Sequence, residues 1–175
     1  MTAIGYRPGS PADIDALVAT TLAGYATYAA FAPAGWVPPD QRDWLLDQFE
    51  RPRMWCEIAS VDGEPCGHSL VVPASESRLR DPDPTVGHLR HLFVRPQQHG
   101  SGVAAALNAR LLDEARVRGF TRLRLFTPER HARARRFYER EGWSLASEPE
   151  FVPELGIAMV EYRVALGPSP DQLDL

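Results

Sequence analysis

Apolar residues Ile14, Leu17, Val18, Leu22, Tyr25 and Ala29 recur at helical spacing. Ser10-Pro11-Ala12-Asp13, just before them, has the chemistry of a helix start: Ser at the N-cap, Pro at the first helical position, and Asp three residues after the cap. A turn-forming stretch, Pro33-Ala34-Gly35-Trp36-Val37-Pro38-Pro39, separates this helix from a second near Gln41 to Phe49, which Pro52 closes. The period then changes. Trp55 to Val61 and Gly67 to Val72 read as two short strands joined at Asp62-Gly63, a hairpin signal. The polar, proline-bearing residues 73–84 read as a surface loop. His88 to Val94 is an apolar strand, followed by a glycine-bearing loop and a helix with Val103, Leu107, Leu111 and Ala115 at i, i+4 spacing, stopped by Gly119. A strand over Thr121 to Thr127, a helix over His131 to Glu141 ended by Gly142, and a strand over Ala158 to Leu166 complete the pattern. Strands alternating with helices from 88 to 166 predict an α/β (α+β) fold, a mixed sheet with helices on its faces.

Composition bounds the class. With 175 residues, 44% hydrophobic and 24% charged, the chain suits one globular domain, expected over 1–166, with a polar C-terminal tail over 167–175. The first residues lack a basic segment followed by an apolar one, and no apolar run approaches the roughly 18 residues of a membrane span. A cytoplasmic protein with no membrane partner is expected. Cys56 and Cys66 have neither metal-site spacing nor a secretory context, so two reduced thiols are expected. Every basic side chain apart from histidine is Arg; the absence of Lys excludes lysine Schiff-base chemistry and a Walker-type phosphate loop. A net charge of -4 argues against a general nucleic-acid binder.

The loop Gln97-Gln98-His99-Gly100-Ser101-Gly102 carries the strongest chemical signal. It closes onto the helix that begins at Val103, so backbone N–H groups and the helix dipole converge where an anion is favoured. Gly100 and Gly102 permit positive φ and let a ligand approach the backbone. A phosphate-bearing ligand is the expectation.

Gln97-x-x-Gly100-x-Gly102 after a strand, followed by Ala134-Arg135-Arg136-Phe137-Tyr138-Glu139-Arg140-Glu141-Gly142-Trp143, resembles the GCN5-related N-acetyltransferase (GNAT) family. The resemblance implies the acyl-CoA acyltransferase fold, with a central mixed sheet of about six to seven strands and helices on both faces. It implies acetyl-CoA as acyl donor. Leu92, Phe93 and Val94 would hold the pantetheine arm on the free edge of a splayed strand. Gln97 and the N–H groups from Gln98 through His99, Gly100, Ser101, Gly102, Val103 and Ala104 would surround the pyrophosphate. Ala134, Phe137 and Tyr138 map near the thioester. His131 stands where the family often has an Asn that contacts the cofactor arm or a bound water, a departure that changes the shape of that contact.

The implied reaction is transfer of an acetyl group to a primary amine of a small molecule or peptide, by direct attack through a tetrahedral intermediate. An alkyl ammonium with pKa about 10.4 is only about 0.1% neutral near pH 7.4, so freeing it costs about 4 kcal/mol unless a base takes the proton. The family often has Glu six positions before the closing Val of the strand; here that position is His88, the candidate base, with a free pKa near 6.5. Backbone N–H groups near Phe93 or Val94 would stabilise the oxyanion. By resemblance, Tyr138 would protonate or hydrogen-bond the leaving thiolate. Strand alternation sends His88 and His91 to opposite faces, against a metal site with His99. The arginines from Arg130 to Arg136 read as a solvated helix face, some of them near the CoA 3'-phosphate. The acceptor end is expected around Tyr25, Tyr28, Phe31, Trp36 and the 73–84 loop, as pocket wall or as core. A homodimer accords with the family's habits, and the alternative to catalysis is a non-catalytic acetyl-CoA-binding sensor or interaction module.

Overall fold

The computed structural model describes residues 3–77 and 79–167. Of the expected polar tail, 168–175 lies outside the described residues. Eight strands form one sheet: β1 (Ile4–Pro8), β2 (Trp55–Val61), β3 (Glu64–Pro73), β4 (Val86–Val94), β5 (Arg122–Pro128), β6 (Ser144–Leu145), β7 (Glu150–Val152) and β8 (Ile157–Ala165). The order is β1-β2-β3-β4-β5-β8-β6, with β7 also on β8. Four helices accompany it: α1 (Ile14–Tyr25), α2 (Arg42–Gln48), α3 (Val103–Val117) and α4 (Ala132–Arg140).

The predicted mixed sheet is present, with three strands more than the apolar pattern marked. β1, β6 and β7 are short and mostly exposed, so they lack the alternation that reveals a half-buried strand. At the predicted first helix, the Asp13 carboxylate accepts the Ser10 N–H at 2.9 Å. The helix there is 3₁₀ over Pro11–Asp13 before becoming α1, and it becomes 3₁₀ again over Ala26–Ala30. At the β2–β3 hairpin, Asp62 and Gly63 both have positive φ, 50° and 88°, as a type I′ turn requires.

Helices cover both faces. Leu17 of α1 and Leu45 of α2 pack on Ile58, Leu70 and Val72. On the other face Leu111 and Ala115 of α3, with Tyr138 of α4 and Trp143, close over Leu89, Leu123, Leu125 and Tyr162. Both cysteines are buried free thiols.

Two irregularities of β4 position the site. Its parallel pairing with β5 covers only Val86–His88 against Arg122–Arg124; beyond this the strands part and leave a gap in the sheet. Its pairing with β3 also slips, because Leu70 faces His91 while Val71 faces Leu89. Arg90 is therefore the extra residue of a β-bulge. The bulge overturns the expected alternation: His91 packs with Trp44 and His68 on the α1–α2 face, the face on which His88 meets Phe126.

Candidate active site

A cleft of about 650 Å³ runs from the loop before α3 to the segment between α1 and α2. At its first end Gly100 and Gly102 have φ of 83° and 88°, the left-handed region that favours glycine. The loop is more economical with its donors than the sequence suggests. The N–H groups of Gln98, His99 and Ser101 already bond to the carbonyls of Arg95, Pro96 and Gln98. The Val103 N–H leans on the Ser101 hydroxyl at 3.4 Å, so the anion cradle narrows to Gly100, Gly102 and the N–H groups of Ala104 and Ala105, which have no intrahelical partner. Of the expected donor residues, Leu92, Phe93, Val94, Gln98, His99, Gly100, Gly102, Ala104, His131, Ala134, Phe137 and Tyr138 line the cleft, and Gln97, Ser101 and Val103 do not. Val103, the first residue of α3, is fully buried, and the Ser101 hydroxyl closes the loop on the Gln98 carbonyl at 2.6 Å. Arg133, Arg136 and Arg140 add positive charge to the same walls.

Midway, the cleft passes the parted edge of β4. The Arg95 N–H bonds across to the Cys66 carbonyl of β3 at 2.8 Å, so alternation directs the Phe93 N–H toward β3 as well. The N–H groups of Leu92 and Val94 then face the gap. Tyr138 stands here, 8% exposed. Burial raises its pKa above the ordinary phenol value, so its proton stays in place. Its ring packs on Phe137, Trp143 and Tyr162.

His131 takes the place of an amide side chain by using both ring nitrogens. Nδ1 accepts the Ala134 N–H at 3.4 Å, capping α4. Nε2 lies 3.4 Å from the Thr27 hydroxyl, which donates its own proton to the Gly24 carbonyl at 2.7 Å. The ring is thus neutral with its proton on Nε2. Burial, then Arg133 and His99, holds its pKa down.

The far end is aromatic. Tyr25, Tyr28, Trp36, Phe93 and Phe126 line it with Leu155 and Met159. Gly24 makes this packing possible, since a Cβ there would lie 2.1 Å from the Phe93 ring. Trp36 donates from Nε1 to the Leu155 carbonyl at 2.8 Å. Phe31 packs on Tyr28 and His131 behind the wall. None of the described residues of the 73–84 loop lines the cleft; its Ala74 and Leu79 carbonyls and Ser77 hydroxyl instead accept from Arg124. Gly24, Phe126, Leu155 and Met159 carry no local sequence signal for this role.

His88 is outside the lining. Its ring is buried beside Phe126, 5.5 Å between centroids, and Nδ1 has no partner. Burial first, then Arg90 and Arg124, drives its pKa well below 6.5. Nearby, Thr20 donates its hydroxyl proton to the carbonyls of Ala16 or Leu17. It therefore accepts from His68 Nδ1 at 2.6 Å, and His68 Nε2 accepts from His91 Nδ1 at 3.1 Å. Both rings are neutral, and burial pushes the pKa of His68 down to about 3. Among the described residues no group of His, Cys, Asp and Glu has the arrangement of a metal site, and no helix is long and apolar enough to cross a membrane.

Residues 21–143, the span holding the loop, the parted strand and the Phe137-Tyr138 helix, match the Acetyltransferase (GNAT) family. The chain belongs to that family. The fold agrees with solved GNAT-type structures. The yncA protein of Salmonella typhimurium, determined with its cofactor acetyl-CoA, aligns at TM-score 0.72 with 18% identity over 96% of each chain. The PaiA N-acetyltransferase of Thermoplasma acidophilum, in complex with coenzyme A, aligns at 0.71 with 15% identity over 91% of this chain and 98% of its own. In sequence, this GNAT chain is 29% identical to the mycothiol acetyltransferase of Salinispora arenicola over 149 residues, 82% of this chain and 45% of the relative. It is 31% identical to an uncharacterized N-acetyltransferase of Mycobacterium tuberculosis over 117 residues, 67% of each. The chain spans less than half the length of the mycothiol acetyltransferases it matches.

Proposed function

We propose that this chain transfers an acetyl group from acetyl-CoA to a primary amine of a small molecule or peptide. The observation that carries the reading is one continuous cleft that begins at an anion cradle, passes a parted strand edge beside Tyr138, and ends in an aromatic chamber. Gly100, Gly102 and the first turn of α3 suit the pyrophosphate, and Arg133, Arg136 and Arg140 suit the outer phosphate. The β4 edge from Leu92 to Val94 suits the amides of the pantetheine arm. The amine nitrogen attacks the thioester carbon; a Leu92 or Val94 N–H stabilises the oxyanion, the C–S bond breaks, and CoA leaves as thiolate. With its pKa raised, Tyr138 serves the thiolate better as a hydrogen-bond donor than by full proton transfer.

In this reading His88 is not in contact with the amine. An imidazole held well below its ordinary pKa and screened by Phe126 takes an ammonium proton poorly. The proton instead leaves to water before attack, so kcat/KM should rise about tenfold per pH unit below the amine's pKa. The reaction is placed in the cytoplasm, in accord with two buried free thiols. The test is release of free CoA thiol from acetyl-CoA on addition of amines. Acceptor-dependent release is expected; tight acetyl-CoA binding with no release across a broad amine panel would replace the enzyme with a non-catalytic module.

A further inference from the structure

The far end of the cleft has a composition that selects among amines. Tyr25 packs on Phe93 and on Tyr28, with ring centroids 5.2 Å apart in each pair, and Tyr28 stacks on Trp36 at 5.4 Å and 28°. The rings brace one another, so an aromatic wall stands ready without a ligand to order it. Trp36, partly exposed at the end of this row, is fixed by its bond to the Leu155 carbonyl. That bond ties the segment between α1 and α2 to the turn before β8. No Asp or Glu is among the described residues lining the cleft, whereas Arg90, near Tyr25 and Tyr28 and engaged in an interaction of its own, lines it. Glu154, beside Leu155, lies outside the lining and is engaged in an interaction of its own.

An acceptor with a second cationic group would gain a contact with a ring face but find no carboxylate among the described lining residues to pair the desolvated charge. A flat apolar body loses water against rings already in position, with no cost for ordering them. Building on the acetyltransferase reading, we infer that the acceptor is a monoamine borne on an aromatic body and that Trp36 selects it. Polyamines and lysine-rich peptides are poor acceptors. The amine precedes the ring by a short aliphatic link, because the nitrogen has to reach the parted edge of β4 while the ring remains in the chamber.

The experiment compares kcat/KM at saturating acetyl-CoA for 2-phenylethylamine, phenylalanine, phenylalanine amide, propylamine, spermidine and a lysine-rich peptide. The aromatic monoamines should exceed propylamine at least tenfold, and spermidine and the peptide at least a hundredfold. Phenylalanine against its amide and 2-phenylethylamine tells a free aromatic amino acid from an arylalkylamine. Trp36→Ala should cut the phenylethylamine-to-propylamine ratio at least tenfold, through KM, with acetyl-CoA affinity unchanged. Trp36→Phe keeps a ring without the bond to Leu155 and should retain most of the ratio. Preference for spermidine or the peptide, or an unchanged ratio in Trp36→Ala, overturns this inference and leaves the acetyltransferase reading standing. Acetyl-CoA binding without turnover of any amine overturns both.

Discussion

The two halves of the cleft are built from different materials. The half proposed to hold the acyl donor presents backbone: N–H groups from Gly100, Gly102 and the start of α3, the unpaired edge of β4, and small residues such as Ala104 and Ala134 that leave the chain accessible. The acceptor half uses side chains, chiefly rings from α1, the segment after it, β4 and β5. Backbone donors in a fixed loop recognise groups common to every CoA ester. Side chains can change identity without changing the fold, so recognition that differs between relatives resides there.

The contrast extends beneath the site. Buried imidazoles of His68, His88 and His91 lie on the acceptor side of the sheet, and burial depresses all three. A histidine with a folded-state pKa below its unfolded value of about 6.5 contributes fully above that pH, and its contribution is lost as pH falls through 6.5 toward the folded value. His68, with a folded-state pKa of about 3, loses about 1.4 kcal/mol per pH unit, and His88 and His91 act in the same direction, so stability should fall from pH 7.5 to 5.5. Urea unfolding at pH 7.5 and 5.5 measures this, and a flat profile would mean that the imidazoles are not held neutral.

Tyr138, where the halves meet, should show the next largest effect. Tyr138→Phe keeps the packing and is expected to lower kcat about 30- to 100-fold, about 2–3 kcal/mol in the barrier, with melting temperature and acetyl-CoA affinity unchanged. An unchanged kcat would reduce Tyr138 to packing. Gly102→Val imposes a β-branched residue on a φ of 88°, at about 1–2 kcal/mol, in the donor half alone. Calorimetry should find acetyl-CoA affinity down about tenfold or more while the ranking of amines is kept; a reshuffled ranking would mean that the two halves are coupled. His88→Ala should alter kcat/KM less than about threefold at pH 8. A tenfold fall with acetyl-CoA affinity intact would restore His88 as the base.

The donor half was legible because its determinants are local: two glycines at fixed spacing after a strand, and a Phe-Tyr pair on a later helix. The long helices and buried strands were legible because each shows a clean period. Three things were not. The edge strands β1, β6 and β7 bury too little to leave an apolar pattern. The facing of His91 depended on a bulge at Arg90, where neither Gly nor Pro marks the site. His88 had the right strand position for a base, but Phe126, 38 residues away in sequence, screens it from the cleft. Tyr25, Tyr28 and Trp36 were expected as wall or as core; the packed rings are both, since each braces its neighbour while lining the cleft.

The bulge at Arg90 gives β4 a parity. Leu89 faces α3, and beyond the extra residue His91 and Phe93 face α1 while Leu92 and Val94 return to the α3 side. Substitution at position 90 leaves this count intact, whereas deletion of one residue inverts everything on one side of it relative to the other. Phe93 would leave the aromatic wall, and the edge proposed to meet the pantetheine arm would present the wrong amides. Across related sequences, position 90 should therefore vary in residue type while the number of residues from Leu89 to Val94 stays fixed.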